Sequence, residues 1–550
     1  MVVELFLIAA LFIFFTGWGL WVKYLLAIPA DTVAVTSLLG LVFFSIACCV
    51  AAFFTPLTLG VEIVFLVAGI LPYFSKKLRA GIIPFPQAML RSAWFWAFAL
   101  TIVLVGCYYA FVPDQFNYYI PTLQWLNRFG FIIGTAVIDW SVGQMSMWHI
   151  IQAGLDQTID PFLRINIFVA VLYLVYLFER KSYWMLFFIA WYFLFIQTVS
   201  PDVPIAFLAL IVVNESCFHY QKANFPALLI LAVFAFTIKL VTFWLPAWVL
   251  FVYLYKNKAV WIEKSSGKTC LFVGLLVCVF VLKNVIISSC LVYPVGFSQI
   301  DTYWCAHPGV LADYQNVMTR LTFNLRYSLE EVQSFSLLYK FRHWLTYNDP
   351  QAVMNLGIIL LSLLFGIFAF IKKNVIYMAL WSLIVVKIGV VFLSSGQFRF
   401  LLDGVFPLLL IFFTCLPLKI NQIHSLALSV ILVAALALSY PSFILKFFST
   451  MNAPWMMEGF TSHALLVPET DRREAYEEEK IGNLTIHITT GYYFNFDTPP
   501  PAFTSYTLKQ LNRLNVFPQM RDSVDIRKGF YMKKLSTEDK AKLEQIIDRF

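Results

Sequence analysis

The sequence predicts an all-α polytopic membrane protein with about fourteen transmembrane helices, interfacial helices in its outer loops and a small α+β domain at its C-terminal end. Three observations predict it. Of 550 residues, 60% are hydrophobic and only 13% charged, with a mean hydropathy of +0.77, where soluble domains carry roughly 25% charged residues. Apolar runs long enough to span a bilayer recur from Leu5 to Phe447. Lys and Arg gather in short clusters between these runs, so the net charge of +8 reports topology and argues against a nucleic-acid partner.

Taken in order, the runs predict crossings near 5–22, 34–53, 56–74, 93–112, 165–178, 183–199, 203–218, 225–238, 241–255, 269–287, 352–371, 375–393, 400–416 and 424–446. The positive-inside bias then puts Lys23, Lys76, Lys77, Arg79, Arg180, Lys181, Lys222, Lys256, Lys258, Lys264, Lys268, Lys372, Lys373 and Lys419 in inner loops, and both chain ends outside. The 225–255 stretch is divided in two because Lys239 falls in its middle, where a charge in lipid costs several kcal/mol. The first run follows Met1-Val2-Val3-Glu4 with no basic stretch and no small-residue cleavage site, so it is expected to stay as a helix.

The chain thus divides into a transmembrane domain, 1–448, and an extracytoplasmic domain, 449–550. Two outer loops, 113–164 and 288–348, are too long to be turns. The first holds the amphipathic stretch Tyr118–Phe131, which suits a helix lying in the interface. The second carries a mixed-charge helical pattern through Glu330, Glu331 and Arg342. Beyond 449 the composition turns polar; Leu484–Ile488 alternates as a strand and Ser536–Phe550 reads as a terminal helix. Most of the nine cysteines lie in apolar runs as small buried hydrophobes. Cys290 and Cys305 flank an outer loop, where a disulfide is allowed but not required.

Chemistry-bearing residues concentrate on the outer side. Asp114 directly follows a crossing, ahead of Tyr118, and can serve as a general base or simply as an interfacial charge in a tyrosine belt. Downstream, Gly143, Gln144, Ser146 and His149 form a glycine-punctuated polar segment, in which His149 reads as a structural histidine or as part of a binding loop. Asp139 and Asp202 are further acids; Asp202, in Ser200-Pro201-Asp202, reads equally as a helix N-cap. Lys239 and Arg399 are cations on the side where basic residues are sparse. Binding a lipid phosphate would account for them, and so would snorkelling to headgroups. Tyr303, Trp304 and His307 offer aromatic and polar groups in the second loop; Trp140 and Trp148 add rings in the first. The sequence has no Walker A, strand-anchored GxGxxG, HExxH or CxxC pattern, and few acids in mid-crossing positions.

In order, Asp114 with Tyr118, the Gly143–His149 segment, Ser200-Pro201-Asp202, Thr237-Ile238-Lys239-Leu240, Lys283-Asn284 leading to Cys290-Leu291-Val292-Tyr293-Pro294, Phe398-Arg399-Phe400 and the soluble tail with Gly529-Phe530 resemble bacterial multi-pass glycosyltransferases of the GT-C superfamily. The likeness is to members that take a polyprenyl-phosphate sugar as donor, and it spans nearly the whole chain in a diffuse way. It implies a transferase in the bacterial cytoplasmic (inner) membrane that moves sugar to a glycan, lipid or protein acceptor on the outer face, with inversion. Asp114 would be the catalytic acid of the first outer loop, Asp139 or Asp202 its partner, and Arg399 and Lys239 the phosphate ligands. Tyr118, Gln144, His149, Tyr303, Trp304 and His307 would line the substrate loops. Four predicted crossings precede Asp114 where many relatives have one, and Gly396-Gln397 stands where near relatives carry Pro-Asp. No cofactor and no metal is required, although a divalent ion is compatible with the chemistry. Two other classes fit the same features: a transporter or flippase for lipid-linked glycans, and a non-catalytic subunit of a membrane assembly.

Overall fold

The computed structural model describes residues 1–258, 267–347, 349–440, 442, 459–470, 474–490 and 494–549. Lys264, the predicted end of the last crossing at 446, the domain boundary at 449 and Phe550 lie outside the described residues. The chain is mostly helical. Among the described residues six helices are long and apolar enough to cross a membrane: Val2–Leu26, Val33–Ala52, Gly267–Ser288, Pro350–Ile371, Val375–Ser395 and Ile420–Ser439. Their 20 to 25 residues rise about 30–38 Å, enough for the hydrocarbon layer. The other apolar runs form the shorter helices Leu59–Ile70, Ala93–Gly106, Ile165–Arg180, Asp202–Phe218, Phe225–Ile238, Trp244–Asn257 and Leu402–Thr414.

Ile165–Arg180 and Asp202–Phe218 are buried almost end to end, as befits helices apolar on every side. By contrast, Pro350–Ile371 and Val375–Ser395 turn Leu360, Leu364, Val386 and Leu393 outward. The first two helices cross closely: a Cβ on Gly19 would overlap the Thr36 carbonyl, the small-residue packing that lets helices approach in lipid. Glu62, buried on Leu59–Ile70, accepts from the backbone N–H groups of Gln157 (3.0 Å), Thr158 (3.0 Å) and Ile159 (2.8 Å) and so anchors the first outer loop. At the far end of the bundle Arg180 pairs with both Asp31 (2.6 Å) and Glu215 (2.5 Å), while Glu179 accepts from the N–H groups of Val33 and Ala34 that open the second helix.

Two segments differ from expectation. The 183–199 run is not a regular helix but two short 3₁₀ segments, Tyr183–Phe188 and Ala190–Tyr192, followed by turns. It is rich in aromatic residues, which favour helix weakly, and side chains take carbonyls that a helix would use: Gln197 Nε2 donates to Phe193 O, and Asn166 Nδ2 to Phe195 O and Thr198 O. The Tyr118–Phe131 stretch does contain a helix, Ile120–Phe129, but protein rather than the lipid interface covers its apolar face. Leu123, Trp125 and Leu126 are buried, Trp125 meets Phe530 with ring centroids 5.8 Å apart, and Gln124 donates to Asp497 O at 2.7 Å. Cys290 and Cys305 are free thiols, so the allowed disulfide is not formed. The 225–255 stretch is two helices, with Lys239 in extended conformation between them.

The second long loop, 288–348, forms helices at Pro308–Leu321, Leu329–Ser334 and Leu337–Thr346. In the C-terminal domain β1 (Tyr476–Ile481) and β2 (Leu484–Thr489) pair antiparallel, with Ile481 opposite Leu484 across a turn that Gly482 enters at φ +60°. Leu484, Ile486 and Ile488 point inward. Beside β2 runs β3 (Ala502–Phe503), parallel, while β4 (Val516–Met520) and β5 (Phe530–Lys534) form a second antiparallel pair. Helices Ser505–Leu514 and Thr537–Arg549 complete it. The domain sits on the first long loop, 113–164, through Phe530 N to Ile133 O (2.9 Å) and Phe496 N to Phe116 O (2.8 Å). The N-terminal amine donates to Ala464 O at 2.7 Å, so the start of the chain and the segment leading into this domain share one end of the bundle.

Candidate active site at the end of the bundle

Asp114 opens a single π-helical turn, Gln115–Tyr119, that leads into the buried loop helix. Such turns are uncommon and often mark functional positions. Arg399 sits in the 3₁₀ turn Phe398–Phe400, between the helices Val375–Ser395 and Leu402–Thr414. Separated by 285 positions in sequence, the two meet with Nη1 3.2 Å from Oδ2. Their side chains are 29% and 27% exposed, so the pair is open on one side. Gln397 Oε1 accepts from Arg399 Nε at 3.1 Å and fixes the plane of the guanidinium.

Alongside stands a second pair. Lys239, in the break between two helices, binds Asp202 at the start of the next bundle helix. Asp202 therefore spends its carboxylate on a cation and not on an N-cap, and its second oxygen, Oδ2, is buried without a hydrogen-bond partner. Lys239 Nζ also stands 4.4 Å over the Phe400 ring, while Arg399 lies 5.0 Å from the same ring, so one aromatic side chain supports both cations. Burial works against the Arg399 charge, yet Asp114, Asp202 and the neighbouring tyrosines hold it above its usual range. Lys239 moves the other way: burial pulls it down, Asp202 opposes, and Arg399 adds to the fall.

The surrounding loops are stapled to these two pairs. Gln115 Oε1 accepts from Val199 N at 3.1 Å, tying the Asp114 turn to the Asp202 turn. Ser146 Oγ donates to Ile238 O at 2.7 Å, immediately before Lys239, and Lys283 Nζ donates to Met145 O (2.8 Å) and Gln144 O (3.3 Å). Gln144 therefore lies beside the site through its backbone. The buried His149 ring packs on Tyr119 (4.7 Å) and Tyr118 (6.0 Å); burial lowers its pKa to about 3, so it stays neutral at ordinary pH. Asp114, Tyr118, His149, Asp202, Lys239 and Arg399 are thus brought into one cluster.

Other singled-out residues serve elsewhere. Asp139 accepts from Ser141 N (2.7 Å) and from Thr507 Oγ1 (3.1 Å), closing a turn and docking the C-terminal domain. Tyr303 accepts from Arg521 (2.7 Å), Trp304 donates to Val285 O (2.9 Å), and His307 Nδ1 caps the Pro308–Leu321 helix by accepting from Gly309 N (3.1 Å). Trp148 is fully buried and donates to Asn166 (3.0 Å), so its ring faces no substrate. Among the described residues no group of three or more His, Cys, Asp and Glu side chains could hold a metal ion.

One element escaped the sequence reading. Lys387, buried in the Val375–Ser395 helix, pairs with buried Asp403, whose other oxygen accepts from Trp244 Nε1 at 2.9 Å. Lys387 is within electrostatic reach of Lys239 and Asp202, so three ion pairs run inward from Arg399. A lysine in the middle of an apolar run was the available signal, because such a charge demands a partner. Chemically, the cluster offers two cations that can hold a phosphate and two carboxylates that can take a proton.

Residues 1–406 match the model of the family described as "Domain of unknown function (DUF8201)", and the chain belongs to that family. The match takes in both outer ion pairs and Asp403, and stops short of the C-terminal domain. No curated protein and no solved structure matches the chain.

Proposed function

We propose that this family member is a GT-C-type membrane glycosyltransferase of the bacterial cytoplasmic membrane, with about fourteen crossings and both termini outside. It moves a sugar from a polyprenyl-phosphate donor to a glycan, lipid or protein acceptor on the outer face. The observation that carries the reading is the meeting of Asp114 and Arg399 at 3.2 Å, with Lys239 and Asp202 alongside. A carboxylate beside two fixed cations at the end of an apolar bundle is what transfer from a lipid phosphate needs.

Arg399 and Lys239 hold the donor phosphate. Asp114 takes the proton of the acceptor hydroxyl as that oxygen attacks the anomeric carbon from the face opposite the phosphate, with inversion. The sugar–oxygen bond to phosphate breaks, its electron pair stays on the phosphate oxygen, and the two cations stabilise that charge. Because Arg399 is paired with Asp114 in the free protein, donor binding exchanges partners: the guanidinium passes to the phosphate and the carboxylate is released for the acceptor. The orphaned Asp202 Oδ2 gives a sugar hydroxyl a ready acceptor.

A second reading, transport of a lipid-linked glycan, draws on the Lys387–Asp403 pair buried deeper in the bundle. Purified protein in liposomes, supplied with labelled polyprenyl-phosphate sugars and candidate acceptors, separates the two. Transfer is expected, and Arg399→Ala should lower it by about 10²–10³-fold. Translocation of intact donor with no transfer would replace the enzyme by the transporter.

A further inference from the structure

While the helix Ile120–Phe129 is covered by the C-terminal domain, Leu337–Thr346 in the second long loop leaves the apolar residues at its start open. Leu337 and Leu338 at its start are 63% and 77% exposed, and Tyr339 is also exposed. The helix carries Lys340 and Arg342 and no acid; Glu330 and Glu331 stand on the preceding short helix. Further along the same face the helix is fixed: Trp344 is buried, and Phe341 and Trp344 pack on Phe392 with centroids 5.5 and 5.1 Å apart, so it is the N-terminal end of that face that stays open. Pro350–Ile371, whose Asn355 donates to Trp344 O at 3.2 Å, also turns Val353 and Leu360 outward. Leucines at one end with basic residues beside them, next to a bundle helix long and apolar enough to cross a membrane, fit an anionic phospholipid leaflet.

The same helix is bolted to the Arg399 turn. Trp344 Nε1 donates to Gly396 O at 2.6 Å, and Gly396 N donates to Thr322 Oγ1 at 2.9 Å. A Cβ on Gly396 would come within 2.8 Å of Trp344 Nε1, so only glycine fits between them. Gln397, which orients Arg399, follows directly.

We propose that Leu337–Thr346 lies in the membrane surface, with Leu337 and Leu338 among acyl chains and Lys340 and Arg342 on the phosphates of anionic phospholipid, and that this seat sets the position of Arg399 through Trp344 and Gly396. That the leaflet is the outer one rests on the topology proposed above; the lipid contact itself does not.

The test uses the full chain in nanodiscs, with the photo-crosslinker benzoylphenylalanine at Leu338 or, as a control, at exposed Val524 of the C-terminal domain. Phospholipid adducts are expected at position 338 and not at 524. In discs mixing phosphatidylglycerol with phosphatidylcholine, the anionic adduct should exceed its share of the lipid roughly tenfold, and Lys340→Gln with Arg342→Gln should remove the enrichment. Equal yields at the two positions, or no anionic preference, would overturn the lipid seat. Hydrogen exchange of segment 394–400 reads the coupling: it should be slower in anionic nanodiscs than in detergent, and Trp344→Phe should abolish the difference. Exchange indifferent to both changes would overturn the coupling. Neither readout uses sugar transfer, so its failure is separate from failure of the enzyme reading.

Discussion

Asp114→Asn is expected to lower sugar transfer by about 10²–10⁴-fold, the usual contribution of a general base, while leaving the fold intact. The side chain keeps its shape, and a partly exposed ion pair such as Asp114–Arg399 contributes about 1 kcal/mol at most. The variant should carry a signature that a merely structural role would not produce. Arg399 no longer has a carboxylate competing with the donor phosphate, so the apparent donor affinity should rise as kcat falls. Initial rates over a range of donor concentrations separate the two effects; an unchanged kcat would remove Asp114 as the base.

Lys387→Met is expected to have the largest effect on stability. It leaves the Asp403 carboxylate buried without its cation, and breaking a buried pair from one side costs about 3–5 kcal/mol. Changing Asp403 to Asn as well should recover most of that loss, since asparagine carries no charge and its Oδ1 can still accept from Trp244. Thermal unfolding in one detergent, followed for the two single variants and the double, checks this. If Lys387→Met unfolds no more readily than the double variant, the pair is not a charge lock.

That the chain is mostly helical, with several helices of membrane-crossing length, can be read from apolar runs because lipid imposes a length and leaves few charges to hide. Asp114, Asp202, Lys239 and Arg399 are scattered over the chain, yet one rule, polar residues on the basic-poor side, selects all four, and they meet. Other features were not legible, for physical reasons. Amphipathicity at Tyr118–Phe131 reports a face to be covered and not what covers it; here the cover is Phe530 and its neighbours, four hundred residues away in sequence. Apolar content marks 183–199 as a membrane-sized run, but its irregular path follows from Asn166 and Gln197 reaching its carbonyls. Tyr303, Trp304 and His307 have the composition of a binding loop, and each is spent on a hydrogen bond within the fold. Lys387 shows its partner only once Asp403 is seen to enter the same interior.

The most direct test is a density map of the protein saturated with a polyprenyl phosphate. It should place the phosphate on Arg399 and Lys239, with the Asp114 carboxylate turned free beside it. A bound phosphate elsewhere, with Asp114 and Arg399 still paired, would contradict the account.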